Sequence, residues 1–121
     1  ILNIPAGGAE QYSTGGFMKI GADITSDTVL TVASLGYIYD VYGDTDITLP
    51  AVSPGFIGVP MKFIKRSVSR LDIVSGVQII SPYGTGTLFS EQSENIGSVI
   101  ELTPISETEW FADITGNWTI S

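Results

Sequence analysis

The residue types that most often carry chemistry in proteins are sparse in this chain of 121 residues. It contains no cysteine and no histidine. Their absence excludes disulfides and thiolate nucleophiles, and it removes the usual zinc ligands and the commonest general base. Acidic residues remain as candidates, one group for metal binding and another for acid–base catalysis.

Three aspartates surround Gly43 at a spacing that resembles part of a calcium-binding loop: Asp40, Asp44 and Asp46. The distal glutamate and the helical flanks of an EF-hand are missing. Turn carboxylates that accept hydrogen bonds from nearby backbone are therefore the favoured interpretation. We expect no bound metal and no other cofactor.

The last third of the chain contains five glutamates that offer a pair for glycoside hydrolysis: Glu91, Glu94, Glu101, Glu107 and Glu109. Such hydrolysis needs two carboxyl groups held at a defined separation. The spacing in the sequence defines no such separation, whereas a solvated acidic surface accounts for all five residues. We therefore predict that the protein is not an enzyme.

Charge limits the range of partners. The formal net charge is −8, from 13 acidic and 5 basic residues, so the protein repels phosphate backbones and anionic membrane surfaces. No apolar stretch approaches the roughly 18 residues of a membrane-spanning helix. We expect a soluble protein with neither a nucleic-acid nor a membrane partner.

Four of the five basic residues lie within nine positions: Lys62, Lys65, Arg66 and Arg70. Two interpretations stand side by side. These residues balance nearby acids across strands, or they form a positive patch that docks on an acidic neighbouring subunit.

The chain divides into an extended N-terminal arm, residues 1–16, and a β domain, residues 17–121. The arm is rich in glycine and turn-forming residues, and its apolar anchors for contact with a neighbour are Ile1, Leu2, Ile4 and Tyr12. From Phe17 onward, short alternating apolar runs are separated by turn residues at intervals of roughly 8–12 positions. This pattern predicts an all-β fold, an antiparallel β-sandwich or jelly-roll-like domain with little helix.

Two local predictions follow from the same alternation. Ser75-Gly76 is placed as a tight hairpin turn between two short strands. Tyr37 and Tyr39 share one strand face while Tyr42 points the other way. The tyrosines are therefore assigned to packing in the core or at a subunit interface rather than to a sugar-stacking platform, and Trp110 and Trp118 to the core or its rim.

Residues 45–121 contain a strand ending in Leu-Pro, a glycine loop, a strand with Ile-Lys, further strands and a closing Gly-x-Trp. These elements are residues 47–50, 55–58, 63–65, 71–73, 97–102, 110–111 and 116–118. Together they resemble a pattern of bacteriophage virion surface domains, both capsid decoration or cement proteins and fibre tips. The chain departs from it at Pro60 and over residues 84–96, which are longer and more polar.

The resemblance implies a viral structural protein on the virion surface, assembled as a homotrimer. A capsid decoration or cement protein is preferred; its partners are the major capsid protein and copies of itself, contacted through the arm and the basic residues. The alternative is the tip domain of a tail or head fibre that binds a host receptor or glycan. A cellular carbohydrate-binding β-sandwich is a third hypothesis.

Overall fold

The computed structural model describes residues 18–91 and 95–121, which form ten β-strands and two short 3-10 turns. The strands are β1 (Lys19–Ile20), β2 (Thr28–Val29), β3 (Tyr37–Val41), β4 (Thr45–Thr48), β5 (Met61–Lys65), β6 (Leu71–Ser81), β7 (Gly84–Glu91), β8 (Val99–Ser106), β9 (Glu109–Thr115) and β10 (Trp118–Ile120). The 3-10 turns span Val32–Ser34 and Pro54–Phe56. This confirms the all-β prediction, and the described residues contain no helix long and apolar enough to cross a membrane.

The first six strands wind as a coil. The odd-numbered strands β1, β3 and β5 pair in parallel, and so do the even-numbered strands β2, β4 and β6. Each connection carries the chain from one parallel stack to the other. We call these the odd stack and the even stack.

Antiparallel pairing dominates the second half of the chain. Strand β8 pairs with β5 and β9, and β7 pairs with β6 and β10. Over the described chain, five of the nine strand pairings are parallel and four antiparallel. The sheet is thus mixed rather than antiparallel throughout, because side-chain alternation reports burial and carries no information on the direction of the neighbouring strand.

Strand β6 joins the two stacks. Its first half pairs with β4 and its second half with β9. Its register against β7 shifts between Val74 and Ile79. The predicted hairpin at Ser75-Gly76 is wrong: the chain continues through it as one irregular strand and turns at Pro82 and Tyr83 instead.

One hydrophobic core lies between the stacks. It takes residues from β4 and β5, which stand far apart in the sheet order, so the sheet folds over on itself. On β5, Met61 and Phe63 are fully buried, and burial of each such side chain contributes about 1.5–3 kcal/mol. Alternation along β5 and its neighbours therefore specifies an inner face and an outer face.

Candidate contact surfaces

The predicted contact residues of the arm, Ile1, Leu2, Ile4 and Tyr12, lie outside the described residues. The four predicted basic contact residues are all described. They do not form one patch. Lys65 faces the core and is 1% exposed, because it lies three positions from Lys62 on β5 and so has the opposite parity.

The other three basic side chains each contact an acidic residue. The nitrogen–oxygen distances are 3.7 Å for Lys62 and Glu101, 3.3 Å for Arg66 and Asp40, and 3.0 Å for Arg70 and Asp72. The Lys62–Glu101 and Arg66–Asp40 pairs link neighbouring strands, whereas Arg70 and Asp72 are only two positions apart in the chain. As partly exposed pairs, each contributes about 0–1 kcal/mol to stability, so their main effect is on the charge distribution of the surface.

Glutamates 91 and 101 do not form a hydrolytic pair. Glu101 points outward from β8 toward Lys62, whereas Glu91 on β7 is 0% exposed. The prediction of a solvated surface residue is therefore wrong for Glu91. The prediction missed the burial of Glu91 because the residues that follow it are polar and show no alternation of apolar side chains.

Glu91 lies in a small polar cluster beneath the last strands. Its Oε2 accepts a hydrogen bond of 2.9 Å from the Asn117 backbone N–H, while its buried Oε1 has no hydrogen-bond partner among the described residues. Gly116 has a φ of +119°, and a Cβ there would collide with Ser98 Oγ. The Gly-x-Trp element thus brings backbone close to a buried carboxyl group.

A shallow concavity of about 310 Å³ opens on the even stack. Its lining is Asp27, Asp44, Thr45, Asp46, Arg70 and Asp72. Asp46 and Asp72 are directly opposite each other on β4 and β6, so two like charges meet across one strand pair. We call this region the acidic face.

Two carboxylates of the acidic face accept backbone hydrogen bonds. Asp27 Oδ1 accepts from the Asp46 N–H, and Asp44 Oδ1 accepts from the Arg70 N–H, both at 2.8 Å. Asp40, the third aspartate of the calcium-like spacing, is on β3 in the odd stack. Within residues 18–91 and 95–121, no group of three or more acidic side chains is arranged to hold a metal ion.

The acidic face alters one titration. Partial desolvation, then the carboxylates of Asp27 and Asp72, raise the pKa of Asp46. The folded protein holds the Asp46 proton more tightly than the unfolded chain does. The resulting contribution to the free energy of unfolding is therefore complete below the ordinary pKa of 3.8. It is lost as the pH rises through the higher pKa of the folded state.

The substitution Asp46→Asn tests this repulsion. We expect it to raise the free energy of unfolding by about 0.2–1 kcal/mol at pH 7, since it removes one of two opposed like charges. The gain should shrink as the pH falls toward 3.8, because protonation of the wild-type carboxyl removes the same charge. Urea unfolding across this pH range measures it. Asp23→Asn, at an exposed aspartate outside the acidic face, is the control; an equal gain there would assign the effect to net charge instead.

Tyr37 and Tyr39 lie among other aromatic rings, whereas Tyr83 lies at the turn after β6 and is 75% exposed. Tyr39 stacks on Phe63 with ring centroids 5.4 Å apart, and Tyr37 lies 6.0 Å from Tyr39. The Tyr39 hydroxyl donates to the Ser34 carbonyl at 2.8 Å, and burial raises the pKa of Tyr39. Trp110 is in the core, as predicted, and Trp118 packs at its rim and donates to the Thr115 carbonyl at 3.1 Å.

The outer surface of the odd stack carries apolar side chains among charged pairs. Ile20 on β1 lies opposite Ile38 on β3, and Ile64 on β5 lies opposite Val99 on β8. We call the outward side of β1, β3, β5, β8 and β9 the odd outer face. An apolar surface on both sides of a sheet is typical of a sheet that is covered on both sides.

No protein-family model, no curated protein and no solved structure matches this chain. The functional argument therefore rests on its surfaces. Of these, the odd outer face carries both apolar side chains and charged pairs, and the acidic face carries four aspartates with Arg70.

Proposed function

We propose that this chain is a structural protein of the bacteriophage virion surface, and that it acts as a capsid decoration or cement protein. It binds the outside of the assembled capsid, contacts the major capsid protein, and assembles with copies of itself as a homotrimer. Its function is contact, without catalysis. The strand and turn pattern of residues 45–121 supports the phage assignment.

The observation that carries a contact function is the odd outer face. The inner side of this stack already supplies the core, with Phe63 and Ile100 fully buried. The outer side carries a second set of β-branched side chains, of which Ile20 is 75% exposed and Ile38, Ile64 and Val99 are partly buried. Covering this face with another protein subunit removes apolar area from water, which favours association.

The mechanism of stabilisation is mass action. Neighbouring capsid subunits present a composite surface only after the shell has closed. A protein that binds this composite surface lowers the free energy of the closed shell relative to the open one. The binding stabilises the capsid without any chemical step.

Immunogold electron microscopy on virions of the phage that encodes this chain tests the assignment. We expect label over the head at regular density, and we expect heads from a gene-deleted phage to melt at lower temperature until purified protein is added. Label confined to the ends of fibres would overturn the decoration role and support the receptor-binding alternative. Unlabelled virions would contradict both roles.

A further inference from the structure

Strand β9 crosses the odd outer face with an exposed aromatic ring between two carboxylates. Its outward positions are Glu109, Phe111 and Asp113, which alternate with the buried Trp110 and Ala112. The Phe111 side chain is 38% exposed, and Asp113 is exposed as well. Residues two positions apart line the same side of a strand. The strand therefore presents an apolar surface with a carboxylate at either end.

The carboxylates of β9 are not balanced within the described part of the chain. Asp113 is directly opposite Glu101 of β8, so two like charges meet across this strand pair. Lys62 contacts Glu101 from the opposite side, at 3.7 Å. No ion pair to Asp113 or Glu109 forms among the described residues. Because opposed like charges destabilise a strand pair, a cation supplied by another molecule would relieve this repulsion.

The odd outer face as a whole carries more carboxylates than cations. The cations are Lys62 and Arg66, and the carboxylates are Asp40, Glu101, Glu109 and Asp113. A second copy of this chain, with its net charge of −8, would bring further negative charge to the face, and so would a nucleic acid. A basic protein segment would neutralise it instead, so charge complementarity selects a basic protein as the occupant.

We propose that the odd outer face docks a basic segment of a partner protein, with an arginine or lysine placed over Phe111 between Glu109 and Asp113. The two carboxylates accept hydrogen bonds from the cation. The ring attracts the cation and packs against its aliphatic stem. Ile80 of β6 and Thr103 of β8 are opposite Phe111 on its two sides, and they extend the surface on which the stem lies.

The charge of this partner is the opposite of the one that the cluster of basic residues suggested. That cluster indicated an acidic neighbour, but Lys62 and Arg66 already contact Glu101 and Asp40. The carboxylates of β9 are what the face offers to a partner. The inference names the chemistry of the partner in the proposed contact function, and it rests on that function and not on the location in the virion.

The acidic face supplies a matched control. Asp46, like Asp113, is an exposed aspartate on a strand and lies directly opposite another carboxylate, that of Asp72. The acidic face has no aromatic residue in its lining. Attraction by charge alone would use both faces, whereas the proposed site requires the Phe111 ring together with the carboxylates.

Amide NMR of the purified full chain, titrated with the synthetic peptides Arg-Leu-Arg-Leu-Arg and Glu-Leu-Glu-Leu-Glu, tests the proposal. We expect the basic peptide to shift the signals of residues 109–113 and the acidic peptide to shift none of them. Asp113→Lys should raise the Kd for the basic peptide about tenfold, because it replaces attraction with repulsion. Asp46→Lys makes the same change in net charge and should raise this Kd by less than about threefold. Phe111→Ala keeps the charge and should raise it about two- to fivefold.

The proposal is overturned if the basic peptide shifts no signals or shifts only those of the acidic face. Equal effects of Asp113→Lys and Asp46→Lys, or an unchanged Kd for Phe111→Ala, would overturn it too. Both lysine variants should fold, since each removes an opposed like charge, and circular dichroism checks this; the mapping on wild type needs no variant. Virion labelling tests location and the peptide titration tests the face, so the failure of one is distinguishable from the failure of the other.

Discussion

Trp110→Ala is expected to lower the free energy of unfolding by about 3–5 kcal/mol. The indole is the largest fully buried side chain of the described core, at 1% exposure. It lies on β9 opposite Pro104 of β8 and beside Ile79 of β6. Its removal opens a cavity beside the second half of β6, and the cost of such a cavity adds to the lost burial.

Urea unfolding measures this change in the free energy of unfolding. It is followed by far-ultraviolet circular dichroism, a signal that does not require the tryptophan that the substitution removes. Phe111→Ala is the control, because Phe111 is the next residue of β9, points outward and is 38% exposed; its loss should cost less than about 1.5 kcal/mol. Trp110→Phe should fall between wild type and Trp110→Ala. If Phe111→Ala were the more damaging of the two alanine variants, the assignment of inner and outer faces on β9 would be wrong.

Gly116→Ala is expected to destabilise the protein by about 2–4 kcal/mol, since it combines a strained backbone with overpacking. The φ of +119° belongs to the region that only glycine adopts freely. The new methyl group would collide with Ser98 Oγ and come within 3.1 Å of Glu91 Oε2. The hydrogen bond from the Asn117 N–H to Glu91 depends on this close approach.

Gly76→Ala is the matched control for that substitution. Gly76 lies in β6, its φ is not in the left-handed region, and a Cβ there meets nothing within 4 Å. A reduction in the entropy of the unfolded chain then predicts a small gain of about 0.4–1 kcal/mol. Thermal and urea unfolding of both variants decide the comparison. Similar values for the two glycines would show that Gly116 has no special conformational role.

Most strands of the fold were predictable from alternation. Residues 61–65 and 109–115 alternate between buried and outward side chains, as the sequence pattern indicates. What failed was the connection at Ser75-Gly76, where turn-forming residues sit inside β6. Such residues favour a turn locally, but pairing with β4, β7 and β9 outweighs this preference.

The candidate contact surfaces were only partly predictable. Lys62 and Lys65 lie three positions apart on one strand, so their side chains point to opposite faces. The sequence alone therefore argues against a single patch that contains both. Burial of Glu91 was not, since no periodic apolar pattern surrounds it. The acidic face depends on Asp46 and Asp72, 26 positions apart, meeting across a parallel strand pair, and nothing local specifies that meeting.

By itself, the sequence determined the class of this protein: strands with one apolar side, no thiol or imidazole chemistry, and a surface dominated by carboxylates. These are properties of composition and of a two-residue period, which act locally. Only the tertiary structure decided which strands became neighbours, and in which direction. Register between distant strands arises from packing the whole core, and that packing alone gathers Ile20, Ile38, Ile64 and Val99 into one band while placing the aspartates elsewhere.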